Sequence, residues 1–257
     1  MFSKPGRYEP VGMFSATHIV VIILCFALIG LCVLLTRKMT KQQYFKCVKV
    51  FAIIITAMEI FKIVWSLCNG ETNINNWVPL YFCSIFIFAM WFACSKNEVV
   101  KNLGLSYIAS ASIVGGVVFI ISPSTSFNSY PIFHFLCIHS MVYHSIMVYM
   151  GVMLYVTKAT KIDWNVAKNY FLFCLLFMIC AQTLNLIFDG NLMFINKPYG
   201  IPLPFLFDIY SFSHALYTIL VSWAHIMLGV IAVLIYKGVV AVINQSKQNK
   251  ISSQQNK

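Results

Sequence analysis

Glu59 and Lys62 stand three residues apart inside an otherwise apolar stretch, Phe51–Leu67. That spacing puts both on one face of a helix, where they can pair. His134, His139 and His144 follow at steps of five through a second apolar stretch. At 100° per residue, His139 points about 140° from His134, and His144 returns to about 80° from it on the other side. The three therefore share no face. A metal site prefers i,i+4 spacing or convergent carboxylates, so neither a metal nor another cofactor is expected. His214 and His225 lie close to one face of the last apolar run and read as hydrogen-bonded interior histidines.

Cys83 lies in Val78-Pro79-Leu80-Tyr81-Phe82-Cys83-Ser84, and Gln182 and Asn185 stand near the end of a later run. There are nine cysteines and no CxxC pair, which argues against a disulfide framework or a zinc site. The other eight lie in or beside apolar runs and read as small buried hydrophobes. A free thiol titrates near pH ~8.5 and needs a base within hydrogen-bond reach to become a useful nucleophile. A histidine can be that base, a carboxylate such as Glu59 can orient it, and an amide such as Asn185 or Gln182 can donate to an oxyanion.

Seven apolar runs must position these residues, at about 18–36, 47–68, 78–94, 103–122, 132–156, 166–188 and 212–236. Each approaches the ~20 residues needed to cross the hydrocarbon core. Lipid offers the backbone no partner, so the expected fold is all-α: a polytopic bundle of seven transmembrane helices. The first run meets Arg37 and Lys38 with no small-residue cleavage site, so it reads as a membrane helix and not a cleaved signal. Only 10% of residues are charged, too few to cover a water-soluble globule. The net charge of +11 is confined to short connections and a tail, so topology explains it and no nucleic acid is implied. Fourteen of the eighteen basic residues fall on one side of the bundle and three on the other. This ratio places the N-terminus outside and the C-terminus in the cytoplasm. The expectation is one domain over residues 1–243, a polar, disordered tail over 244–257, and a multi-pass location in the cell membrane with membrane lipids as partners.

Counted from the outer ends of their helices, Glu59, Lys62, Cys83, His134, His139, His144, Gln182 and Asn185 gather in the outer half of the bundle. They imply a polar cavity open to the outer leaflet, whereas a transporter site more often lies at the midplane on broken helices. The longest outer connection, Asp189–Ser211, holds Pro198, Pro202 and Pro204, and its apolar stretch Ile201–Phe207 is expected to fold back onto the helices as a lid. On depth alone, Cys83 stands nearer the level of His139 than of His144.

The order of these motifs resembles the YwaF-like bacterial integral membrane proteins over roughly residues 45–236. These are grouped with animal transmembrane acyltransferases that remodel phospholipids, and are more distantly similar to androgen-induced membrane hydrolases of fatty-acid esters. The family's Leu-Pro-Leu-His-Leu-Cys looks like Val78–Cys83. Its helix ending before Pro looks like Tyr107 to Pro123, and its two histidines ten apart look like His134 and His144. Its late loop looks like Asn191, Lys197, Pro198 and Gly200. The chain departs at Tyr81 (His in the family), Ser124 (acidic), Tyr143 (Ser) and Ser145 (Gly). The resemblance implies a lipid acyltransferase with Cys83 as nucleophile and His144 as base, His139 being the runner-up. Glu59, Tyr81, His134, His139, Gln182 and Asn185 are the candidate pocket residues. A lipid-ester hydrolase on the same site, or a transporter, receptor or scaffold without catalysis, is the alternative.

Overall fold

The structure is a computed structural model that describes residues 2, 6–198 and 204–255, with side chains described as far as Gly238. Seven principal helices follow the seven apolar runs: α1 (Ala16–Thr36), α2 (Lys41–Cys68), α3 (Phe86–Ala93), α4 (Glu98–Ile121), α5 (Phe135–Val156), α6 (Trp164–Phe188) and α7 (His214–Gln255). The backbone of α7 runs on through the polar segment after Asn244, where side chains lie outside the described residues.

Local signals set the helix starts. Ser15 accepts from the His18 N–H before α1, and Thr40 forms a capping box with Gln43 before α2. Asn97 accepts from Val99 and Val100 before α4, and Asp163 accepts from Asn165 before α6.

Among the described residues, five helices are long and apolar enough to cross a membrane: α1, α4, α5, α6 and the His214–Gly238 part of α7. The third run differs from the helix expected over residues 78–94. Its α-helix covers only the eight residues of Phe86–Ala93, about 12 Å of rise against ~30 Å of hydrocarbon. Pro79 accounts for the late start. It lacks an N–H and disfavours α geometry in the residue before it; Val78 is extended at φ −80°, ψ 121°. Residues Tyr81–Ile85 form turns before α3 begins.

Helix α4 is central and packs against α3, α5, α6 and α7. In lipid, helix association depends on close packing, which small residues permit. Helix α4 supplies them in Gly104, Ser106, Ala109, Ser110, Ala111, Ser112, Gly115 and Gly116, all buried. A Cβ on Gly116 would stand 2.6 Å from Val148 Cγ2 and 2.8 Å from the His144 carbonyl, so α4 and α5 meet there backbone to backbone.

The connections separate to two ends. At one end, Val11 N–H donates to the Tyr130 carbonyl (3.1 Å), Gly12 N–H to that of Phe127 (3.0 Å), and Asn191 N–H to Asn75 Oδ1 (2.7 Å). At the other, the Lys101 ammonium lies 5.0 Å from the Phe45 ring and that of Lys237 lies 4.2 Å from Trp164.

Candidate functional site

Cys83 sits in the turn that opens α3, half-buried, with its sulfur 3.6 Å from where a Cβ on Gly115 would stand. Met147 Cε lies 3.5 Å from the same point, so the thiol occupies the seam between α4 and α5. Two buried tyrosine hydroxyls reach three successive carbonyls of the turn, two of which also accept from the backbone: Phe86 N–H donates to Cys83 O (3.1 Å) and Ile87 N–H to Ser84 O (3.1 Å). Tyr107 of α4 donates to Phe82 O, and Tyr143 of α5 lies 3.1 Å from Cys83 O and 3.3 Å from Ser84 O. The peptide N–H groups of Cys83 and Ser84 meet no acceptor among the described residues. A helix break in an apolar interior is tolerated where neighbouring side chains satisfy the freed groups; here Tyr107 serves Phe82 O, the carbonyl of the three that has no backbone donor, and the two N–H groups remain uncommitted.

A polar cluster adjoins this turn. Glu59 and Lys62 form the expected ion pair on α2, with the carboxylate buried. Glu59 Oε2 also lies 3.5 Å from His139 Nε2, near enough for electrostatic contact and too far for a good hydrogen bond. The His139 ring stacks beside Tyr143 at 5.9 Å, the same Tyr143 whose hydroxyl reaches Cys83.

His144 points elsewhere on α5. Its ring stacks on Phe119 of α4 at 3.6 Å, and Nδ1 lies 2.7 Å from the Ser140 carbonyl. That contact requires the proton on Nδ1 and leaves the lone pair on Nε2. Nε2 is buried and meets no hydrogen-bond partner among the described residues, as is also true of His139 Nε2. No hydrogen bond joins Cys83 to either histidine.

The remaining candidates are drawn into the frame at the end of the bundle that holds the connection after α6. His134 caps α5, its Nδ1 accepting from Leu136 N–H at 3.2 Å, and stacks on Tyr130 at 4.1 Å. Asn185 does not stand free as an oxyanion donor: its Oδ1 accepts from Leu192 N–H (2.7 Å) and its Nδ2 donates to Leu192 O (3.1 Å). Gln182 lies beside it, with Oε1 3.4 Å from the same Nδ2. Tyr81 packs against Phe194 of the connection after α6, ring centroids 5.2 Å apart.

That connection is tightly held over the turn that carries Cys83. Asn191 Oδ1 accepts from the N–H groups of Asn196 and Lys197, Tyr217 donates to Phe194 O, and Thr218 donates to Ile195 O. Met193 and Phe194 have φ of 57° and 56°, a left-handed conformation costly for large side chains and kept only where the surroundings enforce it. Residues 199–203, which include Gly200 and part of the apolar stretch expected to fold back, lie outside the described residues. Beyond them, helix Phe205–Phe212 packs Leu206, Ile209 and Tyr210 on the core.

Sequence reasoning assigned no site role to Tyr107 and Tyr143, and it read His225 as a hydrogen-bonded interior histidine, which it is, with Nδ1 2.8 Å from the Val221 carbonyl. The His225 ring lies 5.0 Å from Phe82, next to the Cys83 turn, and its backbone carbonyl accepts from Tyr170 at 2.8 Å. Pro79 was the available signal, since the residue before a proline leaves α geometry and so marks a break in the segment.

The model of the TMEM164 family matches residues 13–236. No curated protein and no solved structure matches the chain.

Proposed function

The chain belongs to the TMEM164 family, a family of membrane proteins, and on that premise we propose that it is a lipid acyltransferase of the cell membrane working through Cys83. The observation that carries the reading is the opened turn before α3, where a thiol stands beside two uncommitted peptide N–H groups in an apolar seam. A nucleophile's own N–H lies close to its sulfur by covalent connection. Two such donors would meet the oxyanion of a tetrahedral intermediate without reorganisation. They replace Asn185 and Gln182 in that role.

In the first half-reaction a base takes the thiol proton and Cys83 Sγ attacks the carbonyl carbon of a phospholipid ester. The ester C–O bond breaks, the departing lysolipid oxygen takes the proton from the base, and an acyl thioester remains. In the second, a lipid hydroxyl attacks the thioester. Its proton passes through the base to the departing sulfur, and the thiol is restored. His144 is the proposed base, supported by its buried Nε2 lone pair. A second reading gives the role to His139, favoured by its contact with Glu59, which would orient and stabilise a charged ring.

The same reading takes all seven helices as crossing elements. Helix α2, with 28 residues, rises about 42 Å and is long enough despite Glu59 and Lys62. α3 crosses together with its opened turn, as discontinuous helices do where they line a site. The N-terminus is then outside and the C-terminus cytoplasmic.

The test is incubation of the purified protein with a mixture of labelled phospholipid and lysolipid, beside Cys83→Ala. Labelled acyl chain appearing in a new diacyl lipid, and lost in the variant, supports the proposal. Release of free fatty acid alone points to hydrolysis. Equal activity in both proteins rejects Cys83.

A further inference from the structure

The Phe82–Ser84 turn could wind into one more turn of α-helix. Cys83 N–H would then bond to Pro79 O and Ser84 N–H to Leu80 O, four residues back, and both donors would be consumed. The wound form has the fuller set of backbone hydrogen bonds, which an apolar surrounding favours. In the opened form Phe86 N–H bonds to Cys83 O and Ile87 N–H to Ser84 O, each three residues back, so Phe82 O is left without a backbone donor. Tyr107 supplies that donor to Phe82 O, and Tyr143 shares its hydroxyl proton between Cys83 O and Ser84 O as a second contact to each. The two rings arrive from different helices, α4 and α5, and both are buried. Tyr143 is further fixed by Phe86 (6.1 Å, edge-on) and by His139 stacked beside it. Tyr107 is fixed by Phe173 at 5.1 Å and Tyr170 at 6.2 Å. The hydroxyls are thus held where the carbonyls of an opened turn must be.

We propose that Tyr107 and Tyr143 are positioning residues that hold the Phe82–Ser84 turn open, so that the Cys83 and Ser84 N–H groups remain available beside the sulfur. The role rests on the acyl-transfer reading of Cys83, but its structural half can be measured without any activity. Tyrosine at position 143, a departure from the resembled pattern, is then a functional part of this chain's site.

The experiment compares Tyr107→Phe and Tyr143→Phe with the unaltered protein in lipid nanodiscs. Phenylalanine keeps the ring and removes only the donor. Tyr44→Phe is the control, because Tyr44 also donates across helices, to Met150 O at 3.2 Å, away from the turn. Hydrogen exchange of the peptide spanning residues 80–86 should slow in Tyr107→Phe and Tyr143→Phe and stay unchanged in Tyr44→Phe. With phospholipid and lysolipid as substrates, kcat should fall about 10- to 100-fold in the two turn variants with KM little altered. Tyr44→Phe should keep the original kcat. Unchanged exchange in both turn variants overturns the proposal, as does an equal loss of kcat in Tyr44→Phe. A turn variant that fails to accumulate assigns that hydroxyl to the scaffold and overturns the proposal for that residue. If exchange slows but Cys83→Ala is as active as the original, the acyl-transfer reading fails while the bracing of the turn stands.

Discussion

Asn185 grips Leu192 by both halves of its peptide, accepting from the N–H at 2.7 Å and donating to the carbonyl at 3.1 Å. Leu192 is fully buried, and Gly190 beside it has no room for a side chain because Ile74 fills the space. An asparagine placed in the wall of a cavity by its position on α6 is in fact the anchor of the connection that follows α6.

Asn185→Ala is expected to leave the Leu192 N–H without a partner and its carbonyl with only the 3.5 Å contact from Ile195 N–H, at a cost of roughly 1–3 kcal/mol for the buried N–H. The strain at Met193 and Phe194 would then lose one of its restraints. Limited proteolysis should cut the variant between Asp189 and Pro198 faster than the original protein. Equal cutting rates would show that the other tethers suffice without Asn185.

The two adjacent glycines of α4 should respond oppositely. Gly116→Ala drives a methyl into Val148 and the His144 carbonyl, forcing α4 and α5 apart, and should lower the melting temperature in detergent by several degrees (roughly 1–3 kcal/mol). Gly115→Ala meets only ordinary contacts, at 3.5 Å to Met147 and 3.6 Å to the Cys83 sulfur. It should keep its stability and lose acyl transfer by crowding the thiol. A Gly115→Ala protein with full activity would place the reacting sulfur elsewhere.

Breaking the Glu59–Lys62 pair should be worse than removing it. Lys62→Met leaves Glu59 a lone buried carboxylate, and Glu59→Gln leaves Lys62 a lone ammonium, each costing several kcal/mol in an apolar interior, about 3–5. The double variant should recover much of that loss. Thermal denaturation of the four proteins gives the cycle, and additive losses would show that the two charges act independently.

Cys83→Ser should lose most acyl transfer, because an alcohol is far harder to ionise than a thiol. His144→Ala should lose a comparable amount, and the double variant little more, since residues acting as one unit are not additive. Loss in His139→Ala with retention in His144→Ala assigns the base to the ring that touches Glu59.

A tag before Met1 is expected to be accessible to protease on intact cells, and one after Lys257 protected. The reverse pattern would contradict the orientation drawn from the basic residues.

The helical plan and the Glu59–Lys62 pair were legible in the sequence because they rest on local, one-dimensional quantities. Hydropathy over about 20 residues marks a segment for lipid, basic residues mark its cytoplasmic end, and a three-residue step marks a shared face. The same arithmetic separated His134, His139 and His144, and they do take three different sets of neighbours: Tyr130, Glu59 and Phe119. Tertiary structure alone decided what surrounds Cys83. The third segment is apolar from end to end, so hydropathy describes a full helix where the chain forms a turn and eight helical residues. Whether that turn stays open depends on hydroxyls 24 and 60 residues further along the chain, at Tyr107 and Tyr143. Asn185 and His225 likewise have uses set by partners on other elements. Periodicity gives the direction of a side chain from its own helix axis; what it meets there is fixed by how the other helices pack.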